Sequence, residues 1–187
     1  MKGFFKQNKG FSLVELLIAL LIMAIIAGTA ITLFGGVLDT SRGGADRETA
    51  DAIKRAILTY MNASNDTDLS AMGIAEYDKS SGKVTTSGTA QQLVNYLSGT
   101  VTIDSTATTK VEGDFDDNGT ADTVTGTKNN EDIVGTYGPF LESTLTKPTQ
   151  EGFSGWDIAI DIKTQVVTVT SMKPAAGADD KLVITPN

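Results

Sequence analysis

Five residues within positions 114–122 have the types and spacing of a calcium-binding loop. Asp114, Asp116 and Asn118 place side-chain oxygens at alternate positions, Asp122 closes the run, and a glycine permits a sharp turn between them. The backbone carbonyl of Thr120 is a further candidate ligand. Because calcium prefers oxygen ligands, the pattern predicts one calcium ion bound in a loop between two strands. An ordinary acidic turn is the alternative interpretation.

The chain lacks the residues on which most familiar catalytic and metal sites depend. It contains no cysteine and no histidine, which excludes disulfides, thiolate or imidazole metal ligands and the commonest general base. Its sequence contains no phosphate-binding loop and no activated-nucleophile motif. We therefore expect no enzymatic activity.

The body of the chain is acidic. The net charge is −8, and without the three lysines of residues 1–10 the remainder has 12 basic and 23 acidic residues, or −11. Nucleic-acid binding requires cations opposite the phosphates. We therefore predict no specific nucleic-acid partner.

The amino-terminal region combines a basic start with an apolar stretch long enough to cross a membrane. The lysines of residues 1–10 precede a stretch from Leu16 to Phe34 that has 19 residues and no charge, and about 20 apolar residues span a bilayer as a helix. The positive-inside rule predicts that the lysines stay in the cytoplasm. Glu15 lies at the mouth of this stretch, where a carboxylate costs roughly 2–3 kcal/mol on entering lipid, so we expect it to have a function.

Residues 9–18, with the sequence KGFSLVELLI, closely resemble the cleavage motif of type IV prepilins and pseudopilins. That motif has a glycine before the cut, a phenylalanine after it and a glutamate as the fifth residue of the product, which correspond here to Gly10, Phe11 and Glu15. The resemblance implies that a prepilin peptidase cuts between Gly10 and Phe11 on the cytoplasmic side and methylates the new amine. The apolar stretch then stays on the mature protein.

Glu15 needs a cationic partner if the apolar helix is buried among other helices. In a filament of many copies, the amine of Phe11 on a neighbouring subunit is the candidate. We therefore expect Glu15 to act in assembly rather than in processing.

The periodicity predicts one long helix over residues 11–61, of which residues 11–34 are the most apolar. Its second half is amphipathic, and its charged faces are expected either to be solvated or to meet neighbouring subunits. Glycines inside the helix mark places where it can bend or melt. The predicted apolar stripe that packs on the head consists of Leu38, Ala45, Ala50, Ile53, Ile57, Leu58 and Met61.

The remaining residues, 62–187, are expected to form a globular head after removal of a leader at 1–10. Residues 62–88 are rich in small polar residues and are predicted to be a connector, followed by a short helix at 89–97 with Leu93, Val94 and Leu97 buried. The fold class is α+β, a long helix packed against an antiparallel sheet, as in type IV pilins. Strands are predicted at 101–103, 110–112, 123–125, 156–162, 166–170 and 181–185.

These features together favour a structural subunit of a type IV pilus. The precursor is expected in the cytoplasmic membrane and the mature chain in an extracellular surface filament, with copies of itself, the prepilin peptidase and the pilus assembly machinery as partners. Adhesion would then be a property of the filament. Two alternatives remain: a pseudopilin of a type II secretion or competence system, and a secreted calcium-dependent binding module whose conventional signal peptide ends near Ile31.

Overall fold

The computed structural model describes residues 12–78, 80–104, 108–112, 123–125, 133–142, 147–173 and 180–186. The chain forms two compact units, one comprising residues up to Ser41 and the other running from Arg42 to the end. Each unit is considered separately below.

A single helix, α1, extends from Leu13 to Ser64 over 52 residues. It continues without a break through the glycines of its first half and middle, so these residues do not interrupt the helix in the isolated chain. The predicted end at residue 61 is three residues early. Ser64 donates a hydrogen bond from Oγ to the Tyr60 carbonyl at 2.7 Å, and Asn65 then leaves the helix with a φ of 57°.

The first unit exposes its apolar side chains. Large hydrophobic residues from Leu13 to Leu38 are all at least half exposed. Among the described residues, α1 is the one helix long and apolar enough to cross a membrane. Among the described residues, no burial accounts for the apolar composition of this half of α1.

The described residues of the second unit form a short helix and three small sheets. A hairpin of β1 (Ala75–Asp78) and β2 (Lys83–Thr86) precedes α2 (Ala90–Ser98). A four-stranded sheet has the order β5-β4-β3-β6, and a three-stranded sheet has the order β8-β7-β9. The remaining strands are β3 (Thr100–Ile103), β4 (Thr108–Glu112), β5 (Thr123–Thr125), β6 (Gly135–Tyr137), β7 (Gly155–Asp161), β8 (Val166–Met172) and β9 (Lys181–Thr185).

The α+β class with a long amino-terminal helix is confirmed, with differences in detail. The hairpin β1–β2 lies within the predicted connector, and β6 was not predicted. The expectation of purely antiparallel pairing is wrong for β9, which lies beside β7 and runs parallel to it. The alternation of apolar and polar side chains along a strand indicates which face is buried, but it does not indicate the direction of the strand. Here the chain crosses from the β8 side of β7 to the other side of β7.

One core joins α1, α2 and the central strand β7. The predicted inward face of β7 is buried at Trp156, Ile158 and Ile160, and the predicted inner side of α2 is buried as well. Thr89 caps α2 by accepting a hydrogen bond from the Gln92 amide, while the Gln92 side chain accepts one from the Thr89 amide. The residues that α1 contributes to this core are Ala50, Ile53, Ala56, Ile57, Tyr60 and Met61.

Two members of the predicted apolar stripe lie outside this core. Leu38 is 57% exposed and Ala45 is exposed, whereas Asp46, predicted on a charged face, is only 2% exposed. The buried face of α1 therefore begins at Asp46.

Candidate functional site

Glu15 lies in the first turn of α1 and is solvent-exposed. A carboxylate at this position interacts favourably with the partial positive charge of the helix amino terminus. Gly10 and Phe11, the predicted processing residues, lie outside the described residues. Within the described part of the chain, no basic side chain lies near Glu15 in sequence, since Arg42 is the first cation after it.

The predicted calcium ligands, Asp114, Asp116, Asn118, Thr120 and Asp122, all lie outside the described residues as well. The strands that precede and follow these residues in the sequence are β4 and β5. These two strands lie side by side and pair antiparallel. Among the residues that are described, no cluster of three or more acidic side chains is arranged to hold a metal ion. The calcium site stays a prediction from the sequence.

The surface of α1 between residues 24 and 44 has a regular pattern of small side chains. Every fourth residue is small, and several hydroxyl groups on this part of the helix bond to its own backbone. Thr32 Oγ1 donates to the Thr29 carbonyl at 2.9 Å, and Thr40 Oγ1 donates to the Gly36 carbonyl at 2.9 Å. These threonines can therefore enter an apolar environment without an unsatisfied hydroxyl. The small residues are Ala24, Gly28, Thr32, Gly36, Thr40 and Gly44.

In the part of the chain that the structure describes, nothing contacts the Cβ positions of four glycines in this stretch of α1. A Cβ atom added at Gly28, Gly35, Gly36 or Gly44 would meet nothing within 4 Å. Each glycine in a helix costs roughly 0.5–1 kcal/mol relative to alanine. A shallow groove of about 530 Å³ lies on this surface beside Gly36 and Thr40. The chain thus carries several destabilising residues whose Cβ positions are open to an outside partner.

A buried carboxylate attaches a loop of the head to α1. Asp46 Oδ1 accepts hydrogen bonds from the Thr149 amide at 2.7 Å and the Thr149 hydroxyl at 2.8 Å. Asp46 Oδ2 accepts a third from the Gln150 amide at 3.0 Å. The Gln150 side chain lies against Gly43, where an added Cβ would be 3.4 Å from Oε1. Sequence reasoning missed this residue, although its spacing before Ala50 and Ile53 places it on the apolar face.

A second buried carboxylate organises the chain that follows α1. Asp66 accepts a hydrogen bond from the Tyr60 hydroxyl at 2.9 Å and from the amides of Ser70 and Ala71, each at 3.1 Å. Burial, reinforced by the nearby Asp66 charge, holds the pKa of Tyr60 well above its ordinary value. Tyr60 also contacts Tyr137 edge to face, with ring centroids 6.2 Å apart. The network fixes the carboxyl-terminal end of α1 in the head.

Comparison with known protein families places the amino terminus in a defined class. The family described as the prokaryotic N-terminal methylation motif matches residues 5–31. This region is the leader signature of type IV pilins and pseudopilins. Neither the search of curated proteins nor the search of solved structures found a match. The amino-terminal region therefore carries the leader signature that type IV pilin-like and pseudopilin precursors share.

Proposed function

We propose that this protein is the structural subunit of a type IV pilus, cut after Gly10 and assembled through the first half of α1. The observation that carries this proposal is the joint presence of the methylation motif over residues 5–31 and a helix half that exposes all its large apolar side chains. A helix apolar on nearly every side must be surrounded by lipid or by other helices. The same surface serves storage in the membrane first and filament packing afterwards.

The small-residue surface of α1 supports packing between copies of the helix. Small residues at every fourth position let two helix backbones approach closely, as in membrane helix pairs. Gly28, Gly36 and Gly44 lower the stability of the isolated helix and have no contact within the chain at their Cβ positions. Close contact with another copy would offset that cost.

Glu15 supplies the electrostatic part of assembly. As a subunit leaves the lipid for the filament core, its carboxylate would pair with the methylated amine of Phe11 on the neighbouring copy. A subunit in the wrong axial position would leave both charges buried without partners, which is strongly unfavourable. The pair would therefore set the axial position of each incoming subunit.

A pseudopilin of a secretion or competence system is the second candidate, because the same motif occurs in both classes. The two differ in what accumulates outside the cell. A pilus subunit yields abundant long filaments, whereas a pseudopilin yields short structures confined to the envelope.

The experiment that tests the proposal combines electron microscopy of sheared surface filaments with mass spectrometry of their subunits. We expect filaments built from this chain, with a methylated amino terminus at Phe11. An amino terminus near Ile31 would instead support a secreted module with a conventional signal peptide. A correct start at Phe11 without surface filaments would favour the pseudopilin.

A further inference from the structure

All three arginines of the chain lie in one segment of α1. Arg42, Arg47 and Arg55 fall within 14 residues together with Lys54, and all four side chains are exposed. Every other basic residue of the chain is a lysine. Arginine differs from lysine in presenting a planar group that binds a carboxylate through two parallel hydrogen bonds. By helix geometry Arg47, Lys54 and Arg55 lie within about 100° around α1, whereas Arg42 lies about 140° from Arg47. Arg47, Lys54 and Arg55 are called the arginine face below.

Among the described residues, no acidic side chain neutralises the arginine face. None of its three cations forms an ion pair of 4.0 Å or less with an acidic side chain there. The nearby Asp46 carboxylate does not serve this purpose, because its oxygens accept hydrogen bonds from Thr149 and Gln150. The cations are therefore available to a partner.

The rest of the second unit carries the opposite charge. Residues 56–187 contain 18 acidic residues and 8 lysines, a net charge of −10, whereas residues 42–55 contain four cations and three acids. Heads of this charge repel one another when packed within the Debye length of about 8–10 Å. Contact between the arginine face of one copy and the acidic surface of the next would reduce that repulsion.

A groove lies beside Arg47 and marks the centre of the arginine face. It has a volume of about 360 Å³ and lies between α1, at Arg47 and Asp51, and residues 169–171 of β8. β8 is an edge strand, since it pairs with β7 alone among the described strands. Because Arg47 and Asp51 carry opposite charges, this surface does not suit a polyanion such as nucleic acid. It suits a protein surface that places a carboxylate opposite the arginine and a donor or lysine opposite the aspartate.

We propose that the arginine face, centred on the groove at Arg47, binds the acidic head, residues 56–187, of a second copy of this chain. The proposal rests on the proposed pilus function and adds to it a second contact between subunits, separate from the apolar helix contact. Assembly then has two components: the apolar half of α1 provides the core, and the arginine face orients the heads. Arginine rather than lysine is expected at this surface because bidentate pairing fixes orientation.

The first test changes the charge at position 47 in the full chain, in cells that assemble the filament. Arg47→Glu is expected to lower filament yield by about tenfold or more, as the loss of one good interfacial charge pair does. Arg47→Lys should retain an intermediate yield. Arg42→Glu, the same charge reversal at an exposed position on another side of α1, is the matched control and should assemble normally. Normal yield from Arg47→Glu would overturn the proposal.

The second test leaves all three cations of the arginine face in place. A photo-crosslinking residue at position 51, on the rim of the groove, is activated in assembled filaments, and the linked peptides are identified by mass spectrometry. A peptide from residues 56–187 of another copy supports the proposal. A link to nucleic acid, to a different protein or only to α1 of another copy overturns it. Absence of filaments from the unmodified chain would contradict the proposed function itself, so the two failures are distinguishable.

Discussion

Asp46 and Asp66 show how single buried carboxylates hold segments of this head in place. Each accepts at least three hydrogen bonds from N–H and O–H donors. Hydrogen bonds of this kind satisfy the acceptor oxygens of a carboxylate that is removed from water. Asp46 holds loop amides against the side of α1, and Asp66 holds loop amides at the carboxyl-terminal end of α1. Without these carboxylates the amides would be unsatisfied.

Replacement of Asp46 by asparagine is expected to destabilise the head. The asparagine side chain would keep one acceptor oxygen but place an amide donor against the Gln150 or Thr149 amide. We expect a loss of about 1–3 kcal/mol in the free energy of unfolding, typical of a buried donor left without an acceptor. Chemical denaturation of the full chain in detergent measures this. The control is Glu48→Gln, an exposed change two residues away that should stay within about 0.5 kcal/mol. Equal stability of the two variants would contradict the role of Asp46.

Replacement of Glu15 by alanine is expected to block assembly without blocking maturation. The variant would leave the Phe11 amine of a neighbouring copy buried without its partner, at a cost of about 3–5 kcal/mol, so filament yield should fall by at least about 100-fold. Cleavage after Gly10 and membrane insertion should be unchanged, as immunoblotting of membrane fractions can show. Glu48→Ala, on the same helix but beyond its apolar half, is the control. Filaments at normal yield from Glu15→Ala would exclude the pairing.

Calcium binding by residues 114–122 stays a prediction that titration can decide. If Asp114, Asp116, Asn118 and Asp122 bind the ion, calcium at about 100 times its dissociation constant should stabilise the head by roughly 2.7 kcal/mol. Calorimetric melting of the full chain in detergent, with calcium and with chelator, measures the shift. Asp116→Ala should abolish it, whereas Asp157→Ala, outside the predicted loop, should not. Identical melting of the unmodified chain in both conditions would leave this segment as an acidic turn.

At the scale of elements, α1 is the most informative, because its two halves have different surroundings. From Asp46 onward it supplies one wall of the head core through residues such as Ile53 and Ile57, which are fully buried. Before Ser41 the same helix exposes its apolar side chains and carries glycines without internal contacts. One regular helix therefore contributes to a folded core in its second half and exposes an apolar surface in its first half.

Two adjacent glycines distinguish close packing of α1 from local melting. Gly36 belongs to the series of small residues at every fourth position, and Gly35 lies about 100° away around the helix. If the small-residue surface packs against another copy, Gly36→Ala should lower filament yield by roughly tenfold, equivalent to about 1.4 kcal/mol. Gly35→Ala should have little effect.

The two variants raise helix propensity by the same amount, about 0.5–1 kcal/mol, so they form a matched pair. If the glycines serve mainly to let α1 melt, both variants should assemble poorly and to the same extent. Filament yield by quantitative immunoblotting, with membrane-inserted precursor measured in parallel, separates these outcomes. Equal behaviour of the pair would contradict packing through the Gly36 side.

At the scale of the whole molecule, cleavage after Gly10 is expected to decide where the protein resides. A bulky residue at position 10, as in Gly10→Leu, is expected to leave an uncut precursor whose basic first ten residues cannot enter a filament core. The precursor should remain in the membrane fraction, with surface filaments below detection by electron microscopy. Gly3→Leu, inside the leader but away from the cut, is the control. Normal maturation of Gly10→Leu would count against the leader assignment.

The sequence by itself was enough to predict the leader signature and the main elements of the fold. The register of Gly10, Phe11 and Glu15 before an apolar run is a local pattern, and residues 5–31 match the corresponding family. Periodicity located α1, α2 and the hairpin of β7 and β8 within a few residues, because each depends on side chains close together in the chain.

Tertiary structure alone decided the features that depend on distant partners. Asp46 is buried because Thr149 and Gln150, about a hundred residues later, bring three donors to it, and no local pattern encodes those donors. The parallel pairing of β9 with β7 depends on which edge of β7 was free after β8 had paired. The tertiary structure also identified the arginine face. Its exposure and the absence of ion pairs among the described residues are properties of the packed head. A chemical motif depends on residues that are neighbours in the sequence. Burial and strand pairing depend on which surfaces meet after the chain has folded.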